Sequence, residues 1–340
     1  MKKTLITLIV LSSLIGCGVR VNQNFNYENT ITPVQIKLDI DELKKNLYKN
    51  HFDIDWQGEK SSIFNDLDLI KNTQSPITIG SFESQLTRII NNIDDGHSRI
   101  IHQDSININH RNQFGYQSIT DSIKYIRIGN FINTKYLVES LDKLEKELLI
   151  SNSKVLIIDI RSNPGGNIQN VNRALSYFLP SNTRIYENVE VKNTSKLTYL
   201  NSKLLSFKHS LKPFKYTGKK KINKNLKIYL WVDQSIASGS MLFTFHLQNN
   251  GAFVIGKPPK GIFNTFGNQH GYRLKHSKII FTLATAKVNI TNKETKKIND
   301  ILKPNYIPES DWNISNLVEF ISENEQITTD NRVDGPTNRS

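Results

Sequence analysis

The chain has 340 residues, a formal net charge of +13 and a single cysteine, Cys17. One thiol excludes internal disulfides, so the fold depends on a hydrophobic core, for which roughly 300 residues are ample. Much of the basic excess lies in residues 192–227, a run without a recognisable nucleic-acid-binding motif, so we expect no nucleic-acid partner.

Residues 1–16 are predicted to be an export signal. A basic start precedes a mostly apolar run that is too short to span a bilayer. The ending Leu14-Ile-Gly-Cys17 resembles the lipobox of bacterial lipoproteins, which implies cleavage before Cys17 and a lipid on that residue. A plain secretory signal is the alternative. The lipobox interpretation predicts a membrane-anchored protein of the bacterial cell envelope.

Beyond a polar tether over residues 17–34, the pattern predicts a helical N-terminal subdomain over residues 35–100. Apolar residues recur there at helical spacing, first in a segment that contains Ile36 and Leu47 and then over residues 63–72 and 81–93.

Residues 101–321 are predicted to form an α/β core, because strand and helix patterns alternate there. Residues 155–160 are apolar apart from Asp159, which is typical of a strand buried on both faces. Polar residues 322–340 predict a disordered tail. The other predicted strands cover residues 123–128, 226–232 and 253–255, and the predicted helices cover residues 134–149, 168–179 and 240–248.

Three motifs carry the groups expected at a catalytic site. Ser235-Ile-Ala-Ser-Gly-Ser-Met241 lies between a predicted strand and a predicted helix, where a serine hydroxyl meets the positive end of the helix. Asp94-Asp-Gly-His-Ser98 offers a base, and Asp159-Ile-Arg-Ser-Asn-Pro-Gly-Gly166 offers backbone amides for an oxyanion. Each motif alone also suits an ordinary turn or cap. Together they predict a serine hydrolase.

In this order the motifs resemble the tail-specific (C-terminal-processing) serine peptidases and their tricorn-like relatives. The resemblance spans about residues 35–310 and also includes Asn50-His-Phe-Asp53, Tyr125-Ile-Arg-Ile-Gly-Asn-Phe131 and Gly251-Ala-Phe-Val-Ile-Gly256. It implies an α/β fold in which a helical subdomain precedes a crotonase/ClpP-like peptidase core. Only about 28 residues separate His97 from Tyr125, so we expect no inserted PDZ domain.

By resemblance the nucleophile is Ser238, because Ser235 falls too early in the motif and Ser240 lies inside the helix. Glycine suits the neighbouring positions, since it lets the backbone approach a substrate closely. The implied oxyanion donors are the backbone amides of Gly239 and of Gly165 or Gly166.

The family activates its serine either with a lysine that ends a Gly-Glu-x-Thr-x-Gly-Lys loop or with a histidine in the Gly-His segment. Here the loop reads Gly256-Lys-Pro-Pro-Lys-Gly-Ile262, so an isoleucine ends it and both lysines are out of register. The resemblance therefore implies the Ser-His branch, with His97 as general base. The unperturbed histidine pKa of about 6.5 suits that role. Seven other histidines, His51 among them, lie outside the motif.

The third catalytic member in this branch is a carboxylate near the C-terminal end of the domain. Strict register places Ile298 at its position, while Glu294 and Asp300 lie close by in the sequence. We select Asp300, which can orient an imidazole but also suits a surface turn.

These observations predict an exported, lipid-anchored serine peptidase that acts on peptides or unfolded proteins. No cofactor is expected, because no His/Cys/Asp cluster has ligand spacing. The alternative is a catalytically weak or inactive member that binds peptides or apolar ligands in the same cleft, and a serine esterase is a third possibility. Departures from the family pattern support the hypothesis of a weak or inactive member: Met241, Pro259 and Asn305 replace a glutamate, a threonine and an aspartate.

Overall fold

A computed structural model describes residues 25–55, 58–102, 113–179, 188–191, 210–211, 226–260, 266–289 and 302–327. The predicted signal peptide, Cys17 and Asp300 lie outside these residues. The chain divides into two compact units. Among the described residues, unit one holds 25–55, 58–102, 188–191, 210–211 and 266–289. Unit two holds 113–179, 226–260 and 302–327.

Unit one contains the three predicted helices, α1 (Pro33–Asn50), α2 (Lys60–Lys71) and α3 (Ile79–Asn91). The first begins at Pro33 because Thr32 and Gln35 form a capping box. The predicted tether extends too far, since β1 (Thr30–Ile31) already pairs with β2 (Ile77–Thr78) and Ile31 is buried.

An antiparallel sheet completes unit one. β12 (Ile280–Asn289) pairs with β11 (Phe266–Arg273), β3 (Arg99–Ile101) and β7 (Asn188–Val191), and β7 also pairs with β8 (Ser210–Leu211). Apolar side chains of the three helices share one core with Phe281 and Leu283 of β12. The predicted division near residue 100 therefore differs from the structure, because strands from later in the chain return to the helical unit.

The buried carboxylate of Asp39 joins α1 to the turn between β11 and β12. It accepts hydrogen bonds from the backbone N–H groups of His276 (2.9 Å) and Ser277 (2.7 Å). A charged group at an internal helix position thus satisfies backbone donors at a distant turn.

Unit two is built on a five-stranded sheet. The strands are β4 (Phe114–Ser118), β5 (Ile123–Ile128), β6 (Val155–Asp159), β9 (Lys227–Val232) and β10 (Phe253–Gly256). They lie in the order β10-β9-β6-β5-β4, and all neighbouring strands are parallel except β4, which runs antiparallel to β5. The α/β prediction is confirmed, although the sequence pattern does not predict β4.

Helices α4 (Thr134–Ile150), α5 (Ile168–Phe178) and α6 (Gly239–Asn249) follow β5, β6 and β9. A further helix, α7 (Ile314–Glu325), packs Leu317 and Ile321 into one core with the β6 residues Val155 and Ile157. The predicted tail begins too early, because α7 continues to Glu325. Every residue of β6 is buried, as its apolar pattern predicted.

Candidate active site

The turn after β9, residues 233–238, is called the nucleophile turn. It ends at Ser238, the N-cap of α6, with φ 52° and ψ −121°. A serine rarely adopts this region, and strained backbone of this kind clusters at functional sites. The Ser238 side chain makes no capping hydrogen bond and the residue is exposed. Its hydroxyl therefore lies at the positive end of α6, accessible to a substrate.

The other two serines of this motif have different roles. Ser240 is fully buried, and its hydroxyl donates to the carbonyls of Asn163 and Ala237, each at 2.7 Å. Ser235 donates its backbone N–H to the Asp233 carboxylate at 2.9 Å. The geometry thus distinguishes Ser238 from a buried structural serine and from a turn serine.

Residues 161–167, called the glycine loop, follow β6 and pack against the nucleophile turn. A Cβ built on Gly165, where φ is +92°, would lie 2.6 Å from the Ala237 oxygen and 2.9 Å from the Ser238 Cβ. A Cβ on Gly166, where φ is +141°, would lie 2.4 Å from the carbonyl carbon of Phe131. Both positions require glycine, because no side chain fits and both backbone angles are unfavourable for other residues.

The amides of the two loop glycines are used differently. Gly165 donates its N–H to Asn163 Oδ1 at 2.8 Å. Within the described part of the chain, the N–H groups of Gly166 and Gly239 donate to no acceptor. A Cβ built on Gly239 would be 3.5 Å from the Gly166 nitrogen, so these two amides are neighbours. The sequence predicts Gly165 or Gly166 as an oxyanion donor. Among the described residues, Gly166 is the one of the two whose N–H has no acceptor.

A network of charged side chains, which the sequence motifs do not predict, joins the end of β6 to the start of the glycine loop. The carboxylate of Asp159 is fully buried and accepts from Arg161 at 2.8 Å, Arg127 at 2.7 Å and Tyr125 at 2.9 Å. Burial opposes ionisation, but hydrogen bonds and charge from Arg161 and Arg127 hold the pKa of Asp159 below its usual value. Arg161 also lies over the Trp231 ring, with 3.3 Å to the centroid.

The predicted base lies in unit one, in a turn over residues 94–98 that is built around the Asp95 carboxylate. That carboxylate accepts from the backbone N–H groups of His97 (2.7 Å) and Ser98 (2.5 Å) and from the Ser98 hydroxyl (2.6 Å). It also bonds to Nε2 of the fully buried His51 at 2.6 Å. Asp94 and Gly96 both have positive φ, consistent with a tightly wound turn.

Burial alone would raise the pKa of Asp95, but its hydrogen bonds from His51, Ser98 and His97 outweigh it and lower the value to about 2. The sequence pattern does not predict a role for His51, because this residue lies outside the Gly-His motif. The available signal was its place in Asn50-His-Phe-Asp53, a segment that already belonged to the family resemblance.

The His97 side chain is half-buried, and its Nδ1 lies 3.4 Å from the Asp95 carbonyl oxygen. Its own carbonyl accepts from Gln269 Nε2 (2.6 Å) and Thr282 Oγ1 (2.9 Å), which fixes the turn to the sheet. Burial lowers the pKa of His97 below 6.5, although Asp95 acts in the opposite direction. The neutral imidazole, which is the form a base requires, is therefore favoured near pH 7.

The remaining predicted groups are partly outside the described residues. Ser238, Gly239, Gly165 and Gly166 come together in unit two, and His97 belongs to unit one. Asp300 and Cys17 lie outside the described residues. Among those that are described, no cluster of three or more His, Cys, Asp or Glu side chains is arranged to hold a metal, and no helix is both long and apolar enough to cross a bilayer.

Residues 122–307 match the model for Peptidase family S41, which covers more than half of the chain. The chain therefore belongs to Peptidase family S41, a family of serine peptidases. This confirms the resemblance to tail-specific and tricorn-like peptidases.

Two solved structures share the fold at low sequence identity. A lipoprotein from Streptococcus agalactiae has a TM-score of 0.58 at 15% identity, covering 86% of this chain and 96% of that chain. A protein described as a candidate peptidase from Parabacteroides merdae has a TM-score of 0.57 at 14% identity, covering 85% and 93%. No curated protein matches the sequence significantly.

Proposed function

We propose that this chain is an exported, lipid-anchored serine peptidase that cleaves peptides or unfolded proteins through an acyl-enzyme. The observation that carries the proposal is the nucleophile turn, where an exposed serine in a strained conformation lies beside two amides, those of Gly166 and Gly239, that donate to no acceptor among the described residues. An ordinary helix cap needs neither the strain nor the adjacent amides.

In the proposed first step, Ser238 Oγ attacks the carbonyl carbon of the scissile bond and His97 accepts the hydroxyl proton. The negative oxygen of the tetrahedral intermediate receives hydrogen bonds from the amides of Gly166 and Gly239. Collapse breaks the C–N bond, and the imidazolium of His97 gives its proton to the leaving amine.

In the second step, water attacks the acyl-enzyme and His97 accepts a proton from it. The second tetrahedral intermediate then collapses: its bond to Ser238 Oγ breaks, His97 returns its proton to that oxygen, and the new carboxyl end leaves. Because the pKa of His97 is lowered by burial, the base is neutral at the start of each step near pH 7.

The role of His97 rests on the family pattern and on the support of its turn by Asp95 and His51. We keep Asp300 as the proposed orienting carboxylate and Cys17 as the proposed lipid attachment site, which would place the protein in the bacterial cell envelope. The structure of a lipoprotein from Streptococcus agalactiae shares this fold, so the fold does occur in a lipoprotein.

Turnover of an unfolded protein substrate tests the proposal. The full chain in detergent should cleave it, while Ser238→Ala and His97→Ala should each lose activity by several orders of magnitude, as removal of a triad member does. Loss in both variants supports the Ser-His assignment. An unchanged rate in Ser238→Ala would contradict it.

An ester with the same acyl group as a peptide substrate distinguishes an esterase from a peptidase, because an esterase would hydrolyse the ester but not the peptide. Peptide binding without turnover would favour the inactive binding protein. In that case Ser238→Ala would leave binding intact, while a bulky substitution in the cleft would abolish it.

A further inference from the structure

The glycine loop and the nucleophile turn are connected by one carboxylate outside the sequence motifs, that of Asp233. It accepts the backbone N–H of Ser162 at 3.0 Å and the Ser162 hydroxyl at 3.0 Å. It also accepts the backbone N–H of Ser235 at 2.9 Å. One side chain therefore bonds both segments, although Ser162 lies 71 residues before Asp233.

Ser162 has a positive φ of 58°, which is unfavourable for a residue with a Cβ. In this conformation both its backbone N–H and its hydroxyl point to the Asp233 carboxylate. Two hydrogen bonds to the same side chain help to offset the cost of this backbone conformation. Asp233 thus provides a specific reason for the chain to keep this strained start to the glycine loop.

A second, neutral connection between the same segments lies deeper. The Asn163 carbonyl accepts from the Ala237 N–H at 3.1 Å and from the Ser240 hydroxyl at 2.7 Å. The Asn163 side chain also donates to the Ile128 carbonyl at 2.9 Å. Ser238 lies between these anchored positions, Ser235 and Ala237 on one side and Ser240 on the other.

The hydrogen bonds of Asp233 and Asn163 set the distance between the proposed oxyanion donors and the proposed nucleophile. Gly166 follows the Ser162 anchor by four residues, and Ser238 follows the Ser235 anchor by three. A shift between the segments would move the Gly166 amide relative to the Ser238 hydroxyl and the Gly239 amide. Displacements of about 1 Å at such groups can cost on the order of 100-fold in rate.

We propose that Asp233 is a positioning residue that fixes the glycine loop against the nucleophile turn and so assembles the oxyanion donors beside Ser238. This inference rests on the proposed function for its catalytic consequence. Asp233 itself touches neither substrate nor reacting atoms in this account. Its effect comes from accepting hydrogen bonds, rather than from its negative charge.

Three variants distinguish an effect of hydrogen-bond acceptance by Asp233 from an effect of its negative charge. Asp233→Ala removes both acceptor oxygens, whereas Asp233→Asn keeps one for the two backbone amides. Asp311→Ala is the control, because Asp311 is an exposed carboxylate of the same unit and pairs only at the surface with Lys257 at 2.8 Å. The readouts are the second-order rate of fluorophosphonate labelling and hydrogen exchange in peptides covering residues 161–167 and 233–240.

We expect Asp233→Ala to slow labelling by on the order of 10- to 100-fold and to raise exchange in both segments. Asp233→Asn should stay within about threefold of the wild type, because it restores the acceptor. Asp311→Ala should match the wild type in both readouts. A melting temperature close to that of Asp311→Ala would separate a positioning effect from general unfolding.

Unchanged labelling and exchange in Asp233→Ala would overturn the inference. Equal losses in the Asn and Ala variants would also overturn it, because they would assign the effect to charge. If the wild type is not labelled at all, the proposed function fails. Faster exchange of the two segments in Asp233→Ala would then still support the structural part, and unchanged exchange would reject both.

Discussion

The two turns that carry the proposed nucleophile and the proposed base are held by different kinds of interaction. At Ser238, glycines and hydrogen bonds through carbonyl groups fit the turn to its neighbour, with a single carboxylate at the edge. At His97, a buried carboxylate and a buried imidazole form the centre of the turn. The first arrangement is sensitive to volume, and the second is sensitive to charge.

This difference predicts how each turn fails. An added methyl group should disrupt the Ser238 turn, where the backbones approach too closely for any side chain. Removal of the Asp95 charge should disrupt the His97 turn, because it leaves buried donors without their carboxylate acceptor.

The largest effect is expected for Gly165→Ala. Its Cβ would lie within 3 Å of the Ala237 oxygen and the Gly239 nitrogen, so the nucleophile turn must move. We expect labelling to fall at least about 100-fold and the free energy of unfolding to fall by about 3 kcal/mol, from strain and overpacking together. Labelling kinetics and urea unfolding measure the two effects.

Gly251→Ala is the matched control, since Gly251 has nearly the same φ, +91°, but no atom within 4 Å of the added Cβ. It should cost only about 1 kcal/mol, with labelling unchanged. Equal behaviour of the two variants would mean that close packing at Gly165 is unimportant.

A second large effect is expected for Asp95→Asn in unit one. The fully buried His51 would lose its charged partner, and we expect unfolding to become easier by about 3 kcal/mol. Asp68→Asn is the control, because the Asp68 pair with Lys44 is half-exposed and should contribute under about 1 kcal/mol. A cost for Asp95→Asn no greater than for the control would contradict the role of the buried pair.

The same carboxylate predicts a loss of stability in acid. The pKa of Asp95 is lowered from 3.8 to about 2, so its contribution is present above pH 4 and disappears as the pH falls to about 2. We expect this contribution to be about 2 kcal/mol. Between pH 5 and pH 2, the free energy of unfolding should decline less steeply in Asp95→Asn than in the wild type. Parallel curves would refute the assignment.

A smaller effect concerns the pH dependence of activity. Since burial lowers the pKa of His97, the neutral base persists below pH 6.5. The acidic limb of kcat/KM should therefore have an apparent pKa below 6.5, because protonation inactivates the base. A limb at or above 6.5 would show that another group controls the rate.

The smallest effect is expected for Lys260→Ala. Lys260 is exposed and is out of register with the family lysine, so peptide turnover should be unchanged. A loss equal to that of His97→Ala would replace the Ser-His assignment with a lysine-activated serine.

The sequence predicted most of unit two, because strong apolar patterns mark β5, β6 and β9 and glycine motifs follow them. It missed β11, whose run Phe266-Gly-Asn-Gln-His-Gly-Tyr-Arg273 lacks apolar alternation. It also missed interactions between distant positions. His51 and Asp95 are 44 residues apart, and nothing in either segment alone specifies that they pair.

Mapping the fluorophosphonate adduct by mass spectrometry shows which serine is the activated nucleophile. We expect one adduct on Ser238 in the full chain and none in Ser238→Ala. Ser235 and Ser240 should remain unmodified in both proteins. An adduct on another serine, or no adduct on a folded wild-type chain, would contradict the assignment of Ser238 as an activated nucleophile.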